Sequence, residues 1–413
     1  MAVFYHPLIG VFLYLITYNI SPAHRWWGRS VQQFGLHYGK LVALSILLGM
    51  LARRERLRFR SLLVGQEALL CAFVALMWLS RLFGEPSGEF SVHNTAKMTK
   101  VLAVLLMITH IVTTLERYEA VVWTLIGVGL YLGYTAATAP PWMFVHGRLN
   151  VSFAGPDFRE GNFLAAHFAM LLPLIGAMFL RGRRWWQKAL CLASATLVIN
   201  GIVLTRSRGA FLACLVGGAF AAATALVSLR RYRTRVLLLL AAGCLGALML
   251  VDPGFWRRMA TLRQNPEETD PSARGRVLAW RAAVRMALDH PLGIGEGNFF
   301  QYVGRYDERI PGKDTHNTFF RCLAELGFPG AFLYLMLVVG AFRTLRWCWR
   351  ASRASPRILE WRVHVWALAT SLVTFLTAGL FITHTYIEEL YWLLMFPVCL
   401  RRGLENELEG GSR

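Results

Sequence analysis

Charged residues are scarce in this sequence, and that scarcity excludes an ordinary soluble protein. Only 16% of the 413 residues are Asp, Glu, Lys or Arg, whereas 55% are hydrophobic. Apolar runs close to twenty residues long recur along the whole chain, and a helix needs about 20 such residues to cross a hydrocarbon core. The runs are continuous rather than alternating, so they predict helices and not barrel strands. The predicted fold class is therefore an all-α polytopic membrane protein.

Acidic residues are the scarcer of the two signs, with 24 Asp and Glu against 44 Lys and Arg. In a membrane protein the first explanation for such an excess is the positive-inside rule, so we expect no nucleic-acid partner. The seven cysteines lie in apolar runs or in an Arg-rich connection, which predicts no disulfide framework. The N-terminus lacks the basic region and cleavage site of a signal peptide, so its first apolar run is expected to remain as a helix.

About twelve membrane-spanning helices are predicted. They cover residues 8–20, 31–51, 62–82, 97–115, 119–138, 162–180, 186–204, 209–228, 235–251, 317–342, 363–383 and 387–400. Alternate connections are strongly basic, namely ARRERLRFR (52–60), RGRRWWQK (181–188), RRYRTR (230–235) and RTLRWCWRASRASPR (343–357). These connections share one parity with the tail from Arg401, so both termini are placed in the cytoplasm.

The long connections lie on the opposite predicted side of the membrane from the basic ones. The longest of them divides the chain into three regions. Residues 1–251 hold the first nine spans, residues 252–315 form one large extracytoplasmic loop subdomain, and residues 316–413 hold the last three spans and a cytoplasmic tail. No internal repeat, low-complexity tract or linker defines a second independent domain.

Two arginines lie in the tight extracytoplasmic connection TRSRGAF (205–211), where the positive-inside rule predicts few. Arg206 and Arg208 flank Ser207, which is a plausible N-cap for the next helix. A helix N-terminus beside guanidinium groups is suited to bind a phosphate group. The alternative is an ordinary pair of side chains that extend to the membrane surface.

A second group of arginines lies in DPSARGRVLAWRAAVRMALDHP (270–291), which is predicted to form an amphipathic helix. On a helical wheel the apolar stripe contains Val277, Trp280, Val284 and Leu288. Arg274, Arg281 and Arg285 follow one edge of this stripe, and Arg276 points elsewhere. Such a helix is suited either to anchor on phospholipid headgroups or to bind a specific diphosphate. The glycine-rich PLGIGEGNFF (291–300) that follows is predicted to be a turn, since no strand precedes it.

The stretch HNTFFRCLAELGFPG (316–330) opens an apolar run with a titratable group. On a continuous helix Arg321 and Glu325 form an i,i+4 pair, predicted to be a structural ion pair. Gly327 and Gly330 return to the face of His316, where small residues would let a neighbouring helix approach. His316 is either a surface histidine or a catalytic group at the membrane surface.

The motif H-N-x9-G-x-x-G, formed here by His316, Asn317, Gly327 and Gly330, resembles the signature of the O-antigen ligases. They share a superfamily with O-antigen polymerases and bacterial protein O-oligosaccharyltransferases. The segments SRGAF (207–211), GNFLAAH (161–167) and RGRVLAW with HPLGIGEGNFF are also similar to recurring blocks of that superfamily. The likeness runs from residue 150 to residue 330.

The resemblance implies transfer of an O-antigen glycan from undecaprenyl diphosphate to lipid A–core oligosaccharide, a step of lipopolysaccharide biosynthesis. It places the active site on the periplasmic face of the inner membrane of a Gram-negative bacterium, among membrane lipids. It implies no metal and no other cofactor, in agreement with the lack of a DxD tripeptide in the sequence. The family's essential histidine corresponds to His316.

The essential arginines of the family correspond to the TRSRG block and to the loop helix. The resemblance leaves open whether Arg206 or Arg208 matches in the first case, and whether Arg274 or Arg276 matches in the second. The helical wheel favours Arg274, together with Arg281 and Arg285. We therefore retain all six arginines as candidates, the first pair as catalytic and the loop arginines as ligands of the donor diphosphate.

These residue types fit a single displacement at an anomeric carbon, which would invert that centre. Imidazole, with an unperturbed pKa of roughly 6.5, is suited to orient or deprotonate the acceptor hydroxyl. Guanidinium groups are suited to bind the diphosphate on which charge develops. The alternatives are an O-antigen polymerase, which uses the same donor chemistry, and a non-enzymatic lipid or glycan transporter.

Overall fold

The computed structural model of this chain describes Val3 and residues 6–22, 37–53, 65–84, 89–150, 154–158, 160–260 and 271–410. In the described part of the chain, five helices come before a short hairpin: α1 (Pro7–Ile20), α2 (Tyr38–Arg53), α3 (Gln66–Phe83), α4 (Glu89–Ile111) and α5 (Leu115–Ala137). A 3-10 turn at Pro141–Met143 leads into the hairpin, whose antiparallel strands are β1 (Phe144–Val145) and β2 (Arg148–Leu149).

The hairpin is followed by four long helices, α6 (Gly161–Arg181), α7 (Trp185–Thr205), α8 (Arg208–Ser228) and α9 (Arg233–Leu250). The predicted large loop contains α10 (Pro253–Ala260), α11 (Pro271–Asp289) and α12 (Phe299–Tyr306). The described chain ends with α13 (Thr318–Ala351), the short α14 (Pro356–Leu359), α15 (Arg362–Ala378) and α16 (Glu388–Gly410).

A described helix overlaps each of the twelve predicted spans, and the polytopic all-α class agrees with this architecture. Part of the second and third predicted spans lies outside the described residues. Among the described residues, six helices are long and apolar enough to cross a membrane by length and composition. These are α5, α6, α7, α8, α9 and α13. The total of twelve spans and the side of the membrane on which the loop lies stay predictions.

Helix α6 lies at the centre of the bundle and packs against α7, α8 and α15. In the most apolar 18-residue stretch of α6, 72% of the residues are buried in the protein, whereas in the corresponding stretch of α9 only 6% are buried. A helix as apolar as α9 with so little protein contact has a surface that suits lipid. Close packing in the centre depends on small residues: Gly217 of α8 leaves room for the Thr374 hydroxyl of α15, and a Cβ there would overlap with it.

The two ends of the bundle differ in the connections that they carry. At one end, Nη1 of Arg181 lies 2.8 Å from Nε2 of His364, and Arg231 pairs with Glu360 at 3.8 Å. These residues lie in or beside the basic connections that the positive-inside rule assigns to the cytoplasm. At the opposite end α6 begins, α7 ends, α8 begins and α15 ends. The residues discussed below as a candidate site lie at this opposite end.

Helix α13 is not continuous, which corrects one prediction. Gly327 has φ 63° and ψ −163°, so the helix is broken there and the wheel that placed Gly327 and Gly330 on the face of His316 does not apply. A Cβ on Gly327 would overlap with the carbonyl oxygen of Pro291. The lack of a side chain at Gly327 therefore makes room for the turn after α11 and not for a neighbouring helix. A Cβ on Gly330 would overlap with Leu326 of the same helix, so Gly330 accommodates the break itself.

The predicted turn at 291–300 docks on this break. Its glycines have left-handed backbones, with φ 91° at Gly293 and 94° at Gly295, a conformation that costs glycine little. The N–H of Ile294 donates to Ala324 O at 3.0 Å, and that of Gly295 donates to Glu325 O at 3.1 Å. These bonds satisfy carbonyls that the broken helix leaves without their usual partners, and they fix the large loop to α13.

Candidate functional site

A cavity of about 180 Å³ lies where the α7–α8 turn, α11 and the segment before α13 meet. Its described lining includes His316 and four arginines, and Glu160 is the acidic residue among them. The lining residues are Arg148, Glu160, Asn162, Ser207, Arg208, Gly209, Arg258, Arg276, His316, Phe381 and Ile382. Three of the candidates predicted from sequence, Arg208, Arg276 and His316, are therefore brought together in one cavity.

The α7–α8 turn is short because two local features end one helix and start the next. Arg206 adopts the left-handed conformation, with φ 48°, and closes α7. Ser207 is the N-cap of α8, as predicted, and its hydroxyl accepts a bond from the Ala210 N–H at 3.4 Å. Arg208 is then the first residue of α8, so its side chain enters the cavity beside the positive end of the helix dipole. This arrangement suits an anion.

Arg206, the other predicted candidate of this turn, is not among the described lining residues of the cavity. Its guanidinium pairs with Asp252 just before α10. It also fills the space beside two glycines, since a Cβ on Gly147 would lie 2.6 Å from Nη1 and one on Gly254 would lie 2.8 Å from it. The hydrogen bond from the Phe255 N–H, followed by Arg206, lowers the pKa of the Asp252 carboxyl. Arg206 thus connects the hairpin, the α7–α8 turn and α10.

Two cavity arginines, Arg148 and Arg258, were not among the sequence candidates. Nε of Arg148 donates to Thr205 O at 3.1 Å, and Nε of Arg258 donates to Arg206 O at 2.9 Å. Both guanidinium groups are therefore fixed by carbonyls of the same turn that presents Arg208. The available signal was their position, because both lie in connections assigned to the extracytoplasmic side, where arginine is unusual.

Glu160 and Asn162, also missed, connect Arg148 to the start of α6. Nη2 of Arg148 donates to Asn162 Oδ1 at 2.9 Å, and Asn162 Nδ2 donates to Glu160 at 3.2 Å. Burial lowers the pKa of the Arg148 guanidinium; Glu160 opposes this shift and Arg208 adds to it. A bound anion would oppose this lowering of the pKa, since it favours the charged form of the guanidinium.

Helix α11 presents one of its four candidate arginines to the cavity. Arg276 lines it, whereas Arg274, Arg281 and Arg285 are exposed to the exterior and are not part of its described lining. The side of α11 that packs on the protein is formed by Leu278, Ala279, Ala282, Ala283 and Met286. Val284 and Leu288, which the wheel assigned to an apolar stripe, are 38% and 64% exposed. The helical wheel favoured Arg274 because it assumed that the largest apolar residues of α11 face the protein.

His316 lies on the wall of the cavity in a constrained backbone conformation. Its φ is 46°, and its side chain is 39% exposed. Nδ1 lies 3.9 Å from Oδ2 of Asp314, a carboxylate that the sequence candidates did not include. Asn317 caps α13 by accepting bonds from the N–H groups of Phe319 and Phe320 at 2.9 and 3.1 Å. The H-N pair therefore combines a cavity histidine with a helix cap.

The ion pair predicted between Arg321 and Glu325 is confirmed, and it is buried. Nε of Arg321 lies 2.7 Å from Glu325 Oε1, and Nη1 of the same arginine donates to Asp314 Oδ1 at 3.0 Å. Glu325 also accepts bonds from the Phe299 N–H at 3.0 Å and from the Tyr386 hydroxyl at 2.8 Å. Because both charges are paired and hydrogen-bonded, they are tolerated in the interior.

The chemistry that this cavity offers is anion binding beside a proton acceptor. Its described lining holds four guanidinium groups and one carboxylate in addition to His316. Guanidinium groups bind phosphate oxygens with two parallel N–H donors and keep their charge at any physiological pH. Among the residues that the structure describes, no three His, Cys, Asp or Glu side chains form a group suited to a metal ion.

Residues 192–335 match the family model described as O-Antigen ligase. The matched region contains the α7–α8 turn, Arg258, α11 and His316, which are most of the charged elements of the cavity. Arg148 and Glu160 lie before it, and Phe381 and Ile382 lie after it. No protein in the curated collection matches the chain.

Proposed function

Because the chain belongs to the O-antigen ligase superfamily, as its sequence motifs predicted, we propose that it is an O-antigen ligase. In this proposal it moves a glycan from undecaprenyl diphosphate to lipid A–core oligosaccharide, at the periplasmic face of the inner membrane. The observation that carries the proposal is the single cavity that contains both an arginine cluster and His316.

The proposed side of the membrane is supported by the two ends of the bundle. The cavity lies at the end opposite to Arg181 and Arg231, in the basic connections that the positive-inside rule assigns to the cytoplasm. A cavity at that end meets substrates on the periplasmic side, and both chain termini are then cytoplasmic. The donor and acceptor of a ligase are presented on that side, each anchored in the membrane by its lipid.

The donor diphosphate is assigned to the arginine side of the cavity. Arg208 and Arg276 bind its oxygens, and Arg148 and Arg258 add positive charge. The bond between the anomeric carbon and the diphosphate oxygen breaks, so negative charge grows on oxygens that the guanidinium groups already contact. Preorganised donors at such a position lower the barrier selectively.

The acceptor hydroxyl is assigned to His316. The hydroxyl donates its proton to the imidazole as its oxygen forms the new bond to the anomeric carbon, on the face opposite to the diphosphate. One displacement of this kind inverts the anomeric centre. The cavity residues supply both the base and the positive charge, so the proposed mechanism is independent of a metal ion.

The first test replaces His316. Alanine would place a less suitable residue at φ 46°, whereas asparagine adopts the left-handed region more readily. We therefore expect His316→Asn to fold and to lose at least about 10²-fold in kcat, at the lower end of what a general base contributes. The assay is transfer of a labelled glycan from its lipid diphosphate to lipid A–core by the purified protein in detergent with chelator present.

His146→Asn is the matched control. His146 is an exposed histidine in the hairpin turn, also has a positive φ (49°), and is not among the described lining residues. It should keep wild-type activity. If the wild-type protein lengthens the glycan on its carrier instead, the protein is a polymerase. If His316→Asn retains full activity in a folded protein, His316 has no role in the reaction.

A further inference from the structure

The backbone on both sides of His316 is fixed by other elements. The indole N–H of Trp280 on α11 donates to Thr315 O at 2.9 Å, and its ring stacks on Phe320 at 5.4 Å with 18° between the planes. On the other side, Asn317 Nδ2 donates to Leu380 O at 3.1 Å. With its backbone held in this way, the direction of the His316 ring depends on its side-chain torsions alone.

Asp314 is the carboxylate that faces the ring, and its own orientation is fixed from several directions. Oδ1 accepts bonds from Arg321 at 3.0 Å and from the Thr315 N–H at 2.8 Å. Oδ2 accepts the hydroxyl of Thr383 at 2.7 Å. Arg321 is buried and paired with Glu325, so it cannot shift without breaking a second ion pair. A carboxylate held this firmly can determine where a neighbouring ring points.

We propose that Asp314 is the positioning residue of His316, and this inference rests on the proposed function. Its Oδ2 accepts the Nδ1–H of the imidazole when the acceptor is bound, which leaves Nε2 unprotonated and directed at the acceptor hydroxyl. The present separation of 3.9 Å exceeds a hydrogen bond. Catalytic hydrogen bonds are often long without substrate and shorten in the complex. The half-exposed ring of His316 has the freedom to close this gap.

The surrounding charges make Asp314 the fitting partner for Nδ1. Among the described residues, the charged groups that line the cavity with His316 are Arg148, Glu160, Arg208, Arg258 and Arg276. Four of these are cations and do not accept a hydrogen bond. The carboxylate among them, Glu160, receives the bond from Asn162 on the Arg148 side of the cavity. Asp314 is next but one to His316 in sequence, and its Oδ2 lies 3.9 Å from Nδ1.

The proton balance is the same as in the proposed reaction. The hydroxyl proton moves to Nε2 as the new carbon–oxygen bond forms, and the departing diphosphate takes the electron pair of the bond that breaks. The resulting imidazolium has an N–H at each nitrogen, and Asp314 stabilises the one at Nδ1 by a charge-assisted bond. The Nε2 proton is then given up to the diphosphate or to water.

The test measures the tautomer of His316 directly. The nitrogen-15 shifts of the imidazole are recorded for the protein with lipid A–core acceptor bound, with ring nitrogens labelled, near pH 9, where a free imidazole is neutral. The His316→Asn spectrum identifies the signals of this one histidine. The proposal requires the Nδ1–H tautomer in the wild type. A predominant Nε2–H tautomer overturns it, and this readout needs no variant of Asp314.

Asp314→Asn provides the second readout. Its amide oxygen can still accept from Arg321, but its NH2 group would face Nδ1 and donate to it, so the ring proton should move to Nε2. We expect kcat to fall by roughly 10²-fold, a loss of the order that a general base supplies, with KM nearly unchanged. Asp307→Asn is the matched control, because that aspartate pairs with the exposed Arg309 on the loop surface.

Thr383→Val removes the hydroxyl bound to Oδ2 and keeps the carboxylate, so the Nδ1–H tautomer and most of the activity should survive. If Asp314→Asn leaves the tautomer unchanged, the proposal fails even where activity is lost, since the residue is then only structural. Should the wild type transfer no glycan at all, the proposed function fails, and the tautomer measurement still decides whether Asp314 orients His316.

Discussion

Replacing Arg276 by alanine removes one of the four guanidinium groups in the described lining of the cavity. Arg276 is half-buried on the face of α11 that meets the His316 segment, one turn before Trp280. In the proposed reaction its contact with the diphosphate strengthens as the leaving group takes up charge. The loss should therefore appear mainly in kcat.

The expected magnitude follows from comparable electrostatic contacts. Loss of one preorganised donor to a developing anion costs about 10²–10³ in rate, or about 2.7–4 kcal/mol. Arg276→Lys should fall between the wild type and Arg276→Ala, since lysine restores a charge without the two parallel donors. The assay is the rate of glycan transfer at saturating and at limiting donor, which separates kcat from KM.

Arg281→Ala is the matched control because it removes the same side chain from the same helix. Arg281 is exposed and is not among the described cavity-lining residues, so its loss should change the rate by less than about threefold, within the usual effect of a surface substitution. Equal losses in the two variants would refute the assignment of Arg276. They would instead indicate that α11 acts through the general charge of its surface.

Three further outcomes are expected. Arg206→Ala should lower the thermal unfolding temperature, with an ion-pair contribution of at most about 1 kcal/mol. Arg208→Ala should lower kcat without changing the unfolding temperature. The reverse pattern would make Arg206 the residue that acts in the reaction and Arg208 the structural one. Gly327→Ala should destabilise the fold by about 2 kcal/mol or more in an unfolding assay, because it combines a left-handed backbone with an overlap against Pro291. Gly218→Ala should be tolerated in the same assay, because the space around Gly218 is open. Inorganic pyrophosphate should inhibit transfer competitively with the donor and more weakly at high salt; inhibition that is independent of donor concentration would contradict a shared site.

The helices of this protein were predictable because the signal for them is local. An apolar run between Arg-rich connections defines a helix regardless of what it packs against, and α8 at Arg208–Ser228 differs by one residue from the predicted 209–228. The break in α13 was not predictable in this way. Periodicity assumes a continuous helix, and the sequence did not show that Pro291 of a distant turn would occupy the space at Gly327.

The candidate site was predictable where a residue type was unusual for its position. His316 and Arg208 stood out by their predicted side of the membrane and by the motif, and both line the cavity. Arg148 and Arg258 were equally unusual on that predicted side, but they belong to no recognised motif, and their bonds to carbonyls distant in sequence are not contained in any local pattern. The catalytic and binding roles of all these residues stay predictions.

The choice between Arg274 and Arg276 shows a limit of helical-wheel reasoning in a membrane protein. The wheel assumes that the largest apolar side chains face the protein, but lipid accepts them equally well. The size of an apolar side chain therefore does not indicate whether it is buried in the protein. On α11 the buried face consists largely of alanines, which allow close contact with α13, and Leu288 is exposed. Small residues are thus the better guide to the inward face of such a helix.

The turn between α7 and α8 explains why one short segment can organise so much positive charge. The last carbonyls of a helix carry partial negative charge, and those of Thr205 and Arg206 accept bonds from Arg148 and Arg258. Two residues later the first N–H groups of α8 carry partial positive charge, beside the side chain of Arg208. The C-terminal end of α7 therefore binds the arginine side chains, and the N-terminal end of α8 favours an anion. Because the two helix ends are separated only by Arg206 and Ser207, the guanidinium groups are held around the position where a diphosphate is expected.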